Sequence, residues 1–158
     1  MLYNLRMKEI LKKQKLNIIV IWMTVIFLFS NQPGETSQDV SESITANIIK
    51  VFSPNDEIEK IAYYDKIIRK LAHFSIYTVG GLLLINLFYQ TSLEDNKKVS
   101  SAAGIGIVYA MTDEFHQLFV VGRTGRIIDV AIDSLGVMLG ICLYLLIQKY
   151  REHKQAFK

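Results

Sequence analysis

Three ionisable side chains stand within four consecutive positions of one apolar stretch, as Asp113, Glu114 and His116, and Gln117 follows them. An ionisable group at hydrocarbon depth costs roughly 2.5–3.5 kcal/mol on insertion scales, so such residues are functional candidates by default. The i, i+3, i+4 spacing places Asp113, His116 and Gln117 on one helix face, with Glu114 about 100° away. Histidines beside carboxylates suit proton transfer or metal binding. We expect this face to look into the protein or into a wet cavity.

A second acidic pair, Asp129 and Asp133, stands one helical turn apart and is followed by Gly136 and Gly140 at the same spacing. The two carboxylates share one helix face. The glycine pair is typical of a surface that another helix approaches closely.

Two arginines separate these acidic stretches, within the Val-Gly-Arg-Thr-Gly-Arg sequence of residues 121–126. The glycines suit a tight turn, and the charges of Arg123 and Arg126 cannot be switched off. Fixed cations of this kind suit phosphate or carboxylate partners.

A basic and aromatic series, Arg69, Lys70, His73 and Tyr77, lies on consecutive turns at the start of another apolar segment. Residues 30–32, Ser-Asn-Gln, close the first apolar segment before Pro33 and Gly34 stop it. Polar groups therefore fall at one end of each apolar segment.

The elements that carry these residues are apolar enough for a membrane. The chain has 158 residues, 51% of them hydrophobic, with a mean hydropathy of +0.25, which is too apolar for an average soluble protein. The net charge of only +3 argues against nucleic acid as a partner. The lone Cys142 allows no intrachain disulfide, and we expect it to be a small core residue.

Four apolar segments are candidates to cross a bilayer, at about residues 16–32, 69–90, 99–121 and 127–148. A span needs about 20 residues, so the first is short unless its preceding basic residues snorkel or it packs against longer neighbours. The sequence predicts an all-α polytopic membrane protein: a single domain over 1–158, built as a four-transmembrane-helix bundle with an extracellular helical segment at 33–66 between helices 1 and 2.

Orientation follows from the lysines and arginines, because placing both termini in the cytoplasm puts 11 of the 18 inside and leaves seven outside. Counting rise along each helix then sets Asp113 about 12 Å and Asp133 about 9 Å below the outer end. Four helix ends are thus expected to deliver polar groups to one outer layer.

The outer segment is predicted to contain a short amphipathic helix, since Val40, Ile44, Ile48 and Val51 recur at helical spacing after a cap-like Thr36 and Ser37. We expect this stripe to pack on the rest of the protein, with a position on the outer leaflet as the alternative. Ser53 and Pro54 resemble a second helix start.

The order of these residues resembles the VanZ-like family, small membrane proteins named after an accessory glycopeptide (teicoplanin) resistance factor. The resemblance covers about residues 25–142. It rests on Phe29-Ser30-Asn31-Gln32-Pro33-Gly34; Lys70-Leu71-Ala72-His73-Phe74 with Tyr77 and Gly80; Asp113-Glu114-Phe115-His116-Gln117 with Phe119; Arg123; Asp129-Val130; Gly136 and Gly140. This chain has Asn31 where the family often has serine, and Asp133 where it often has asparagine.

The resemblance implies a place in the bacterial cell membrane and a link to glycopeptide susceptibility, without a settled chemical mechanism. It implies as site residues Ser30, Gln32, Lys70, His73, Tyr77, Asp113, Glu114, His116, Gln117, Arg123 and Asp129. From their own chemistry, Arg126 and Asp133 join the predicted binding residues.

Two classes of function fit these residues. The favoured one is a non-enzymatic module whose outer polar pocket binds a membrane lipid, a lipid-linked wall precursor or a lipoglycopeptide, and so contributes to teicoplanin resistance. The alternative is a membrane hydrolase or transferase acting on a lipid-linked substrate, with catalytic candidates His73, His116, Asp113 and Glu114.

No cofactor and no metal are predicted, because no close-spaced ligand motif exists. The residues that would bind a metal are His73, His116, Asp113 and Asp129, with Glu114.

A structural alternative is that the acids only neutralise Arg123, Arg126 and Lys70 inside a small bundle. A transporter is disfavoured because the inner halves of the helices are nearly all apolar, and the oligomeric state is not predicted.

Overall fold

The computed structural model describes residues 2–52 and 61–156, and this part of the chain is all α-helical, without a strand. Its five helices are α1 (Leu2–Ser30), α2 (Gly34–Phe52), α3 (Ile61–Phe88), α4 (Asp95–Gln117) and α5 (Ile127–Ala156). The predicted start of a helix at Ser53 and Pro54 lies outside the described residues.

Three helices are long and apolar enough to cross a membrane, at Glu9–Ser30, Ile61–Phe88 and Ile127–Ala156. Helix α4 has sufficient length, but it carries charged residues near both ends and falls short in apolarity. Large apolar side chains cover the outside of the bundle, among them Ile21, Leu28 and Leu146, each about 60% exposed. Such surfaces suit lipid rather than water, and the chain is a membrane protein.

The predicted first span, 16–32, differs from α1 at both ends. The helix begins 14 residues earlier, because the basic segment continues the same helix, and it ends at Ser30. Lys15, in the N-terminal half of α1, donates to the carbonyl oxygen and side-chain oxygen of Asn86 on α3, at 3.2 and 2.7 Å. Helix α1 is therefore longer than its apolar segment, and Lys15 extends it because its side chain reaches a polar partner.

Helices α3 and α5 form the centre of the bundle and run in the same direction. A Cβ atom added at Gly136 would lie 2.5 Å from the carbonyl oxygen of Phe74, and one at Gly140 would lie 2.0 Å from that of Thr78. The glycine pair thus permits the close helix approach that its spacing predicts.

Helices α1 and α4 pack on this pair through aromatic residues. The Trp22 indole N–H donates to the carbonyl oxygen of Ile76 at 3.1 Å, and the Tyr109 hydroxyl donates to that of Met23. The rings of Trp22, Tyr77 and Tyr109 lie within 5.5–6.3 Å of one another. These contacts join α1, α3 and α4.

Helix α2 lies beside the first turns of α3 and runs in the opposite direction. Thr45 is fully buried and donates to the Asp65 carboxylate at 3.2 Å. The expectation that the apolar stripe packs on the protein is wrong, because its four members, Val40, Ile44, Ile48 and Val51, are 40–75% exposed. The face with small hydroxyl side chains approaches α3 instead, since the buried Asp65 needs a hydrogen-bond donor.

Two smaller expectations also differ. Helix α2 begins directly after Pro33, whose carbonyl accepts from the Ser37 N–H at 3.0 Å, so Thr36 and Ser37 lie inside the first turn rather than before it. Cys142 lies on an exposed side of α5, not in the core.

Candidate functional site

The N-terminal halves of α3 and α5 and the C-terminal end of α4 bring together His73, Asp113, Glu114 and Asp133. One nitrogen or oxygen atom of each lies within 4.8 Å of the corresponding atom of the others. The three acids are at most 4% exposed, and His73 is partly exposed. We call these four residues the acidic cluster.

Asp133 is the most buried member and is fully enclosed. Its Oδ2 atom lies 3.5 Å from the Nδ1 atom of His73, which is within ion-pairing distance but does not make a hydrogen bond. Neither oxygen of Asp133 has a hydrogen-bond partner. A buried carboxylate without donors is unusual and costly.

The other two acids are oriented by neutral donors. The Gln117 amide donates to Asp113 Oδ2 and Glu114 Oε1, at 3.3 Å each. The backbone N–H of Arg126 donates to Glu114 Oε2 at 3.0 Å. Glu114, expected to point away from the face of Asp113, shares its amide donor, because α4 is enclosed on both sides by neighbouring helices.

His116 lies apart from the acidic cluster. Its Nε2 atom is 3.3 Å from Asn31 Oδ1, and its ring centroid is 4.7 Å from that of Phe27. The expectation that His116 shares a site face with Asp113 and Gln117 is wrong, because that side of α4 meets α1. Among the predicted metal residues Asp129 is also elsewhere, with its Oδ1 atom 3.3 Å from Lys70 Nζ.

Arg123 caps the C-terminal end of α1. Its Nε atom donates to the Gln32 carbonyl at 3.0 Å and its Nη2 atom to the Phe29 carbonyl at 2.9 Å. Burial, with the nearby Arg69 charge, lowers the pKa of the Arg123 guanidinium. The guanidinium remains charged, since arginine does not deprotonate in proteins.

Two cavities meet beside the acidic cluster and Arg123. The first, of about 280 Å³, is lined mostly by charged and polar residues: Gly34, Gln38, Lys66, Arg69, Lys70, His73, Glu114, Gln117, Gly122, Arg123, Thr124, Arg126, Asp129, Ile132 and Asp133. We call it the cationic cavity, because five of these residues are lysines or arginines. Its wall includes all the predicted cations, Lys70, Arg123 and Arg126.

The second cavity, of about 290 Å³, is more apolar, and we call it the apolar cavity. Its lining comprises Ile26, Phe29, Ser30, Gln32, Ser37, Ser41, Arg69, Ala72, His73, Ile76, Tyr77, Asp113 and Arg123. The Ser30 and Tyr77 hydroxyls are buried without a hydrogen-bond partner. The two cavities share Arg69, His73 and Arg123.

Arg69 is the site residue absent from the predicted set. It lines both cavities, and it has no hydrogen-bond or ion-pair partner among the described residues. The signal that could have found it is its spacing, because Arg69, His73 and Tyr77 stand at i, i+4 and i+8 on one face of α3. Lys66 and Gln38 are further lining residues that were not predicted.

Direct ion pairs with lysine or arginine do not account for the three acids of the cluster. Within residues 2–52 and 61–156, no lysine or arginine side chain lies within 4.0 Å of Asp113, Glu114 or Asp133. Only Lys70 and Asp129 pair as that alternative requires.

No curated protein and no solved structure matches the chain. A family model described as VanZ/LLP1 matches residues 16–148, which cover α2, α3 and α4, most of α1 and α5, and every lining residue of the two cavities. The chain therefore belongs to the VanZ/LLP1 family.

Proposed function

We propose that the protein binds an anionic amphiphile, with the phosphate or carboxylate headgroup in the cationic cavity and the hydrocarbon chain in the apolar cavity. The observation that carries this proposal is the shared wall, where Arg69 and Arg123 stand without a carboxylate partner among the described residues.

Two neighbouring guanidinium groups repel each other, and a partly desolvated pair needs an anion more than a water-exposed pair does. Arg123 uses two N–H groups on backbone carbonyls, whereas no other residue that the structure describes accepts a hydrogen bond from the Arg69 guanidinium. A planar guanidinium with free donors matches the oxygens of a phosphate or carboxylate.

The apolar cavity supports an amphiphile over a free anion. Ile26, Phe29 and Ile76 provide an apolar wall beside the two guanidinium groups. The volume of each cavity lies near the lower end of the roughly 300–1,000 Å³ range typical of ligand sites. In this proposal one amphiphile occupies both cavities, because they share Arg69, His73 and Arg123.

In this proposal α4 is a fourth span beside α1, α3 and α5. Its 23 residues extend about 34 Å, and its acids face neighbouring helices rather than lipid. The basic tails place both termini in the cytoplasm, so the cavities lie at the outer leaflet of a bacterial cell membrane and α2 lies outside.

The cellular role that fits this ligand is reduced susceptibility to a glycopeptide. A lipid-linked wall precursor has an anionic pyrophosphate next to an acyl chain, and the lipoglycopeptide teicoplanin carries an acyl tail. Retention of either at the outer leaflet would contribute to teicoplanin resistance.

A direct test compares Arg69→Gln with Arg151→Gln, a control at the far, exposed end of α5. Native mass spectrometry of the detergent-solubilised proteins measures binding of phosphatidylglycerol against zwitterionic phosphatidylcholine. Loss of a charge-assisted hydrogen bond of about 1.5–3 kcal/mol should weaken phosphatidylglycerol binding roughly 10- to 100-fold. Equal binding by Arg69→Gln and the wild type would contradict the proposal.

The cellular role is tested separately. Expression of the wild type in a teicoplanin-susceptible bacterium should raise the inhibitory concentration of teicoplanin, and Arg69→Gln should not. If both proteins reach the membrane and give the same inhibitory concentration, the role in resistance is wrong even where lipid binding persists.

A second candidate function is favoured by His73, which borders both cavities and lies beside Asp133. A carboxylate next to an imidazole suits a general base. In hydrolysis of a lipid pyrophosphate, His73 would take a proton from water, the water oxygen would bond to the terminal phosphorus, and the bridging P–O bond would break to give lipid phosphate and phosphate.

Phosphate release from undecaprenyl pyrophosphate by the purified protein tests this second function. Turnover that is lost in His73→Ala but kept in His116→Ala would support an enzyme. Binding of the substrate without phosphate release would leave the binding function as the better account.

A further inference from the structure

We propose that the acidic cluster of His73, Asp113, Glu114 and Asp133 binds a divalent metal ion of the Mn²⁺ or Zn²⁺ class. This inference deepens the proposed function, since the cluster borders both cavities, but its geometry and its test are independent of lipid.

The first argument is distance. Ligand atoms around a metal at about 2.0–2.2 Å are separated by roughly 3–4 Å. The four atoms of the cluster lie within 4.8 Å of one another, so small side-chain rotations complete a coordination sphere. They come from three different helices: α3 and α5 are in close contact at Gly136 and Gly140, and α4 packs on both of them at Gly106.

The second argument is charge. Three carboxylates share a nearly closed space, at most 4% exposed each, and no lysine or arginine of the described chain pairs with them. Buried charges are normally paired or coordinate metals. His73 alone offers at most one positive charge to three acids, so a dication balances the cluster better than any side chain present.

The third argument is the set of atoms left open. Both oxygens of the fully buried Asp133 and the Nδ1 atom of His73 face each other without a hydrogen bond. Asp113 and Glu114 are instead positioned by the Gln117 amide, the kind of outer partner that orients metal ligands. The two Asp133 oxygens and His73 Nδ1 have no such hydrogen-bond partner. They are therefore the atoms that a cation would contact.

The donor set selects the class of metal. One imidazole nitrogen with carboxylate oxygens suits Mn²⁺, Fe²⁺ or Zn²⁺, whereas Mg²⁺ and Ca²⁺ prefer oxygen alone. Arg69 and Arg123 stand on the shared wall next to the cluster, so an anion in the cationic cavity would meet the metal from one side and the guanidinium groups from another.

The experiment uses the full-length protein in detergent, treated with EDTA, dialysed and then equilibrated with Mn²⁺ or Zn²⁺ alone. Electron paramagnetic resonance counts bound Mn²⁺, and elemental analysis counts Zn²⁺. We expect one ion per chain, with affinity lowered roughly tenfold or more in Asp133→Asn. Asp95→Asn, which removes an exposed carboxylate at the opposite end of α4 that lines neither cavity, should bind as the wild type does.

A thermal melt keeps the proposal testable if a variant folds poorly. A ligand that binds only the folded state raises its melting temperature, so Mn²⁺ should stabilise the wild type and not Asp133→Asn. In EDTA the order should reverse, because the asparagine removes one of three repelling charges.

Two results would overturn the site: a wild type that retains no metal after dialysis against micromolar Mn²⁺ or Zn²⁺ and whose melting temperature is unchanged by either, or equal metal binding by Asp133→Asn. Failure of the lipid proposal is distinguishable, because Arg69→Gln should retain the metal while it loses phosphatidylglycerol, and Asp133→Asn should lose the metal.

Discussion

The guanidinium of Arg123 donates a 2.9 Å hydrogen bond to the carbonyl oxygen of Phe29, so the loop between α4 and α5 caps the C-terminal end of α1. Helix ends leave carbonyls that need donors. One cation thereby has two roles: it holds two distant segments together, and it charges the wall that both cavities share.

This double role predicts that Arg123→Ala destabilises the protein. Removal of its hydrogen bonds to backbone carbonyls should cost about 1–3 kcal/mol and lower the melting temperature in detergent. Arg126→Ala is the control, because its guanidinium has no partner among the described residues while its backbone N–H is unaffected by the change. Equal melting of the two variants would show that Arg123 is not a structural cap.

Helix packing predicts a contrast between two glycines. Gly140→Ala places a Cβ atom 2.0 Å from the Thr78 carbonyl oxygen, whereas a Cβ at Gly104 meets nothing within 4 Å. Overpacking should destabilise Gly140→Ala by about 1–3 kcal/mol, and Gly104→Ala should gain up to about 1 kcal/mol from helix propensity. Denaturant titration of both proteins in the same detergent tests the contrast, and a stable Gly140→Ala would contradict the α3–α5 contact.

Substitutions of His73 and His116 are expected to differ in their effect on ligand binding. His73→Ala should weaken Mn²⁺ binding by roughly tenfold or more. His116→Ala removes only a ring contact with Phe27 and a 3.3 Å contact with Asn31, so Mn²⁺ and phosphatidylglycerol binding should stay within about twofold. A larger effect at His116 on either affinity would place it in the site after all.

Orientation is tested with single cysteines in a Cys142→Ala background. Both Thr124, in the loop between α4 and α5, and Asn96, in the first turn of α4 at the opposite end of the bundle, are exposed. A membrane-impermeant maleimide should label Thr124→Cys in intact cells and Asn96→Cys only after lysis. The opposite pattern would place the cavities at the cytoplasmic side.

The positions of the helices follow from the sequence because apolar length and helix rise are local properties. The polar ends of four segments meet in one layer, and rise alone was enough to align His73, Asp113 and Asp133. The start of α1 could not be predicted from the apolar residues alone. The lysines and glutamine before Leu16 are also good helix formers, so the helix begins well before the apolar segment.

Which side chains share a space could not be worked out from one helix at a time. A helical wheel places Asp113 and His116 on the same face of α4, so it cannot tell which of them joins the site. The neighbouring helices determine this: α1 lies beside His116, while α3 and α5 enclose Asp113 and Glu114. For the same reason the stripe of α2 was expected to be buried. Its hydroxyl face was less conspicuous, yet Thr45 meets Asp65 there.

The turn after α1 touches the loop after α4 through main-chain atoms, since the Gly34 N–H donates to the Val121 carbonyl at 2.9 Å and a Cβ at Gly34 would lie 2.0 Å from the carbonyl oxygen of Gly122. Gly122 adopts a φ of 75°, which favours glycine. This seam fixes one rim of the cationic cavity independently of the side chains around it. In the proposed binding function, substitutions at Gln38 or Thr124 would therefore change which headgroup the cavity accepts and would leave the main-chain contacts of its rim intact.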